Sequence, residues 1–208
     1  MNETLKTTLE ALSNEVGLVS EDRKPVLEPL VEYILSKQRA NDPVKLNFIC
    51  THNARRSHIS QLLAAATSLY ADLENIECYS GGTEASQIHP NAKAALEVLG
   101  FVFAGEDEGD NPHYLVDLGE ANMLEIFSKV YNDDDNPQRE FAAVMVCSAA
   151  EEACPFVAGA EKRMSVTFED PKEFDDEEDP IPGYVQRSRE IGRELMYVMS
   201  QVSFRLEA

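Results

Sequence analysis

Cys50-Thr51-His52-Asn53-Ala54-Arg55-Arg56-Ser57 sets a thiol six positions ahead of an arginine, Arg56, with a hydroxyl immediately after it. A thiolate is a nucleophile, and a guanidinium forks two hydrogen bonds to the oxygens of a tetrahedral oxyanion, a geometry lysine matches less well. If the chain turns from strand to helix here, the backbone N–H groups of the turn and of the first helical residues lack intrahelical partners. They can then converge on an anion, helped by the positive end of the helix dipole, and the same field favours the thiolate of Cys50. Ser57 is spaced to donate to that sulfur, and Asn53 is a residue type that tolerates left-handed backbone. Thr51, His52, Asn53, Ala54, Arg55, Arg56 and Ser57 are therefore the expected oxyanion-binding loop. The competing reading is a buried cysteine at a strand end beside a solvated arginine.

Three other cysteines, Cys78, Cys147 and Cys154, complete the thiol set. Four are too few for a disulfide scaffold at this length, and with no CxxC pair no metal site is expected. Cys78 lies inside the strand pattern IECYSGG and reads as structural. Cys147 closes the apolar run 141–147, and Cys154 follows seven residues later; the bland reading is a buried thiol plus a loop cysteine. Asp170-Pro171 follows another apolar segment, where an aspartate can serve as a general acid or simply start a turn.

These residues need a scaffold that gathers them. Short apolar strands at 44–50, 76–82, 141–147 and 164–169 alternate with helical patterns at about 57–71, 90–99, 120–131 and 183–206. The expected fold is α/β: a small parallel sheet of about four strands flanked by helices on both faces. Ligands in such sheets sit at the carboxyl ends of the strands, where Cys50, Cys147 and Asp170 all fall. Residues 1–43 carry apolar residues at helical spacing, with a helix start expected near Ser20, and Asp42-Pro43 breaks the pattern. This gives an N-terminal helical extension, 1–43, and a main domain, 44–208. The extension is expected to dock in cis with a role in a homodimer, the alternatives being self-association alone or binding of a partner.

The chain has 208 residues and a formal net charge of −20, which argues against nucleic-acid binding. No apolar run approaches a membrane span and the N-terminus does not read as a signal peptide, so a cytoplasmic protein is expected. The acidic stretch 169–179 reads as a solvated loop.

The pattern C-T-x-N-x-x-R-S after the first strand of the main domain resembles the family of low-molecular-weight protein tyrosine phosphatases and thioredoxin-coupled arsenate reductases. Ser80-Gly81-Gly82-Thr83-Glu84-Ala85 with His89-Pro90-Asn91-Ala92, and Asp170-Pro171, extend the likeness over about 44–206. It leaves out the N-terminal helices. Cys147 to Pro155 resembles the C-x6-C-P segment of the arsenate reductases, which ordinary phosphatases of the family lack. The resemblance implies catalytic Cys50, Arg56, Asp170, Cys147 and Cys154, no tightly bound cofactor, and an external dithiol such as thioredoxin as partner. The reaction it implies is reduction of arsenate to arsenite, starting at Cys50 and passing through a Cys147/Cys154 disulfide relay. The alternatives are a protein tyrosine phosphatase working through a phosphocysteine, and a non-catalytic oxyanion-binding or redox-sensing protein.

The chain departs from the family at His52, where glycine is usual; a side chain there restricts the backbone or, protonated, assists anion binding. Arg55 is expected to face solvent, and His58 to be a surface or packing residue. If 147–154 were one helix, its two cysteines would lie about 10.5 Å apart along the axis. A disulfide tolerates about 4.4–6.8 Å between α-carbons. Oxidation therefore requires that segment to loop or unwind.

Overall fold

The computed structural model describes residues 1–105, 109–119 and 122–208. Its centre is a four-stranded parallel sheet of β1 (Val44–Cys50), β2 (Ile76–Gly82), β6 (Phe141–Met145) and β7 (Ala160–Ser165), in the order β2-β1-β6-β7. All five residues of β6 are buried. A strand buried on both faces reads as continuous hydrophobicity, as FAAVM does. Register fixes the functional rim. Cys50 pairs with Gly82, Ile49 with Met145 and Met145 with Ser165. The carboxyl ends of all four strands are therefore level, and Cys147 stands one residue beyond the level of Cys50.

Helices α3 (Arg56–Tyr70), α4 (Pro90–Val98), α5 (Ser148–Ala153) and α6 (Ile181–Glu207) flank this sheet. In α6, Tyr184, Ser188, Ile191, Leu195, Val198 and Val202 are buried. Their three- and four-residue spacing forms one stripe facing the core. α3 is buried continuously from Ser57 to Ser68, so the helix that follows the cysteine loop runs through the middle of the molecule.

The N-terminal helices α1 (Glu3–Asn14) and α2 (Lys24–Ala40) dock on the same chain. Leu5, Leu9, Leu12, Leu27, Leu30 and Ile34 are fully buried in the common core, each such side chain worth about 1.5–3 kcal/mol of transfer free energy. Arg23 clamps Glu194 of α6 through two hydrogen bonds of 2.9 and 2.5 Å. Asn41 ends α2 in the left-handed conformation, just ahead of Asp42-Pro43. Ser20 does not start α2; its carbonyl accepts from Arg23 and Lys24 N–H in a preceding turn.

Two segments differ from the sequence expectation. The helix expected near 120–131 is absent among the described residues. Residues 120–121 lie outside them, and Met123–Ile126 forms a strand, β5. It pairs antiparallel with β4 (Tyr114–Asp117), which also pairs with β3 (Phe103–Ala104). A short apolar run is ambiguous in period, and cross-strand pairing decided it. The strand expected at 164–169 begins instead at Ala160, because Lys162 and Arg163 pair with β6 despite their charge.

Candidate active site

The loop leaves β1 at Cys50 and enters α3 at Arg56. Its carbonyls are bound by the segment after β2: Thr83 N–H donates to Cys50 O (3.1 Å), Glu84 N–H to Thr51 O (2.8 Å) and His89 N–H to Ala54 O (2.8 Å). The Ser86 and Ser128 hydroxyls donate to His52 O at 3.0 and 3.2 Å. In a planar trans peptide the N–H opposes the C=O, so the loop's N–H groups are turned the other way. Backbone approach this close excludes any side chain at position 82: a Cβ on Gly82 would lie 2.7 Å from Asn53 N and 2.8 Å from Thr51 O.

Asn53 has φ 45° and is fully buried. Its side-chain amide donates to Ser57 Oγ (2.8 Å) and accepts from Lys129 N–H (2.8 Å). Ser57 Oγ lies 3.0 Å from Cys50 Sγ. Asn53 and Ser57 therefore brace the thiol from beneath. Above it is a small hollow, about 20 Å³, lined by Cys50, Thr51, His52, Ala54, Arg55, Arg56 and Asp170. A much larger cavity of about 650 Å³ beside β2 contains Cys78 but neither Cys50 nor an arginine. Chemistry therefore favours the small hollow over the large one.

Arg56 donates to Phe168 O (3.0 Å) and to the Asp170 carboxylate (2.5 Å). Asp170 also accepts from Lys172 N–H at 3.1 Å, capping the short 3-10 turn Pro171–Phe174. Turn starter and rim carboxylate are thus one residue. The ring of Phe174 packs on the backbone of Gly183, where a Cβ would lie 2.3 Å from the ring, seating the acidic segment on α6.

Arg55 does not face solvent. Its guanidinium donates to the Tyr184 hydroxyl and to the Asp175 carboxylate, both at 2.7 Å. Tyr184 donates to Asp175 at 2.5 Å, Asn91 donates to the same carboxylate at 3.2 Å, and His89 stacks on Tyr184. Burial opposes ionisation of Asp175, but the Tyr184 hydrogen bond and the Arg55 charge hold its carboxyl below the usual range. Burial, then the Asp175 bond, push Tyr184 up to about 12. The acidic stretch is therefore not simply solvated: Asp170 and Asp175 each neutralise a loop arginine. Tyr184 and Asp175 carried no local sequence signal as partners of Arg55, since they lie 129 and 120 positions from it.

The left-handed residue of the loop is Asn53 and not His52. This is why a histidine is accommodated at position 52. Its imidazole is exposed, 3.8 Å from Glu84. His58 is fully buried, with Nδ1 3.2 Å from Ser80 Oγ. Burial and then the Lys129 charge push its pKa down to about 3, so it is a neutral packing residue.

All four cysteines are free thiols. Cys147 is 1% exposed; its sulfur lies 3.5 Å from Thr51 Oγ1 and accepts from Ala150 N–H at 3.4 Å. The structure thus places Cys147 against the cysteine loop. Cys154 stands at the far end of α5 and is 7% exposed. Cys78 is buried within β2, and desolvation pushes its thiol well up. Among the described residues no group of His, Cys, Asp and Glu is arranged to hold a metal ion. No helix among them is long and apolar enough to cross a membrane.

No protein-family model and no curated protein matches the sequence. Solved structures with a similar chain path include three enzymes. An arsenate reductase from Archaeoglobus fulgidus is 16% identical, with 74% of this chain and 98% of that one covered, at a TM-score of 0.47. A low-molecular-weight protein tyrosine phosphatase from T. tengcongensis is 15% identical, covering 78% and 99%, at 0.49. The YwlE arginine phosphatase from Geobacillus stearothermophilus is 18% identical, covering 79% and 94%, at 0.42. At this distance the likeness bears on chain path, and the functional reading has to stand on the site's own geometry.

Proposed function

We propose that the protein reduces arsenate to arsenite with its own thiols. The observation that carries this reading is the seating of Cys147 Sγ 3.5 Å from Thr51 Oγ1, which sets a second thiol against the loop that bears Cys50. A hydrolase needs one thiol at such a loop; a two-electron reduction needs another to take the sulfur–sulfur bond.

The steps follow from that arrangement. Arsenate enters the hollow, where loop N–H groups and Arg56 receive its oxygens. Entry requires Arg56 to exchange the Asp170 carboxylate for the guest. The Cys50 thiolate attacks arsenic, and an arsenate oxygen, protonated by Asp170, leaves as water. Cys147 attacks the sulfur of Cys50. The S–As bond breaks, its electron pair stays on arsenic, and arsenite departs from a Cys50–Cys147 disulfide. Cys154 then attacks Cys147, Cys50 leaves as thiolate, and an external dithiol such as thioredoxin reduces the Cys147–Cys154 bond.

Anaerobic incubation of reduced protein with arsenate tests this directly. One equivalent of arsenite with a Cys147–Cys154 bond mapped by mass spectrometry is the expected result, and Cys154→Ser should stop after a single turnover. Release of phosphate from an aryl phosphate, with no new disulfide and no arsenite, would replace reduction by the phosphatase reading. That second reading is favoured by one observation, the Asp170 carboxylate on the rim beside Arg56, where a general acid for a leaving alcohol would stand. Anion binding by calorimetry with neither product would leave a non-catalytic oxyanion or redox sensor.

A further inference from the structure

The last turn of α5 is not free. A helix leaves its final carbonyls without intrahelical partners, and here one side chain takes two carbonyls at the end of the cysteine segment. Arg163 donates from Nε to Cys154 O at 2.8 Å and from a terminal nitrogen to Glu151 O at 2.5 Å. Its own backbone belongs to β7, opposite Ala143 of β6, so the clamp is based on the central sheet. A second brace comes from the same strand, where the Ser165 hydroxyl donates to the Glu151 carboxylate. Meanwhile Cys154 N–H bonds Ala150 O at 3.0 Å, and Cys147 caps the other end.

In this form the two sulfurs belong to opposite ends of one helix. Seven residues rise about 10.5 Å along an α-helix, whereas a disulfide needs its α-carbons within about 4.4–6.8 Å. Joining Cys147 to Cys154 must dismantle α5, and with it the carbonyl geometry that Arg163 grips. Contacts made in one of two states bias the equilibrium toward that state.

We propose that Arg163 is a positioning residue that holds the 147–154 segment in its helical dithiol form and thereby sets the redox equilibrium of the Cys147/Cys154 pair. The proposal rests on the reading above, in which these two cysteines form a disulfide during turnover. Arg163 touches neither Cys50 nor the hollow. Its effect falls on how readily the second disulfide forms and how readily an external dithiol removes it. Stabilising the dithiol makes the disulfide the stronger oxidant, so the clamp favours return to the reduced enzyme at the cost of slower helix opening.

The test equilibrates the full-length protein with mixtures of glutathione and glutathione disulfide. Two protein thiols become one disulfide while glutathione disulfide takes up two electrons and two protons to give two glutathiones. After acid quenching, the Cys147–Cys154 bond is quantified by mass spectrometry. Arg163→Ala should shift the equilibrium toward the protein disulfide by about tenfold, a potential about 30 mV more negative. Arg163→Lys keeps the charge without the fork and should recover part of the shift. Ser165→Ala, which leaves the clamp intact, should move the potential the same way by less, and Arg163→Lys provides the reading should Arg163→Ala not fold. A potential within twofold of the parent equilibrium for Arg163→Ala, or for Arg163→Lys where Arg163→Ala does not fold, would overturn the assignment to Arg163. Absence of any Cys147–Cys154 bond in the parent under oxidising buffer would instead overturn the relay reading itself.

Discussion

Residues 50–57 are held from beneath by a buried asparagine and a serine, and their carbonyls are taken by the segment 83–89. Residues 147–154 are held from outside, by a guanidinium and a hydroxyl of β7. The first segment has one conformation built into it; the second is a six-residue helix, short enough to be marginal without its clamp. Under the proposed function the contrast separates two tasks. Binding an anion demands donors fixed before the anion arrives, while passing a disulfide between sulfurs demands a segment that can change shape. Both segments lie at one rim because parallel strands in level register end there together.

The contrast can be broken or sharpened by substitution. Cys50→Ser should give the largest effect, a loss of about 10⁴-fold or more in arsenite formation or in aryl phosphate hydrolysis, read by product assays. The rigid side of the comparison includes the imidazole behind the loop. Above pH 6.5 His58 is neutral whether the chain is folded or unfolded. As pH falls from about 6.5 to about 3, the unfolded chain takes up a proton that the folded chain refuses. Stability should therefore fall across that window, by on the order of 3–5 kcal/mol in total from this group. Urea denaturation at pH 7, 5.5 and 4 should show a shallower decline for His58→Gln; equal slopes would mean the imidazole is not held neutral.

Asn53→Ala removes two buried hydrogen bonds and strains a left-handed position. A loss of about 2–3 kcal/mol in stability, with anion affinity falling alongside, is expected. The smallest change belongs to the convertible side. Ala153→Gly in α5 should cost about 1 kcal/mol of helix propensity and make Cys147–Cys154 closure faster, as followed by thiol trapping after a pulse of oxidant. A loss at Ala153 as large as that at Asn53 would erase the distinction between the two segments.

Much of this was legible beforehand because it is local. The limits of β1 and β2, the start of α3 near Ser57 and the left-handed Asn53 each follow from a few adjacent residues. What stayed hidden depends on partners far along the chain. Arg55 gives no sign that Tyr184 and Asp175 await it, and Arg163 reads as an ordinary charged strand residue until the fold brings α5 over it. Met123–Ile126 carries apolar spacing that suits a helix as well as a strand, and only pairing with β4 distinguishes them. Cys147 stands out as the end of an apolar run and through the resemblance of Cys147 to Pro155 to a C-x6-C-P segment, but its seat beside Thr51 follows from strand register, which a single sequence does not display.

The guanidinium of Arg23, from the turn that precedes α2, lies 5.5 Å from the centre of the Phe168 ring, and Phe168 is the residue whose carbonyl steadies Arg56. Asn2, at the other end of the extension, donates to Gly100 O at 2.7 Å. The first forty residues are therefore built into the body of the fold, with Arg23 set against the segment that steadies Arg56, and are not an ornament on its exterior. A chain shortened to begin at Pro43 would bare the flank of α6 and loosen the support on which the arginine rests.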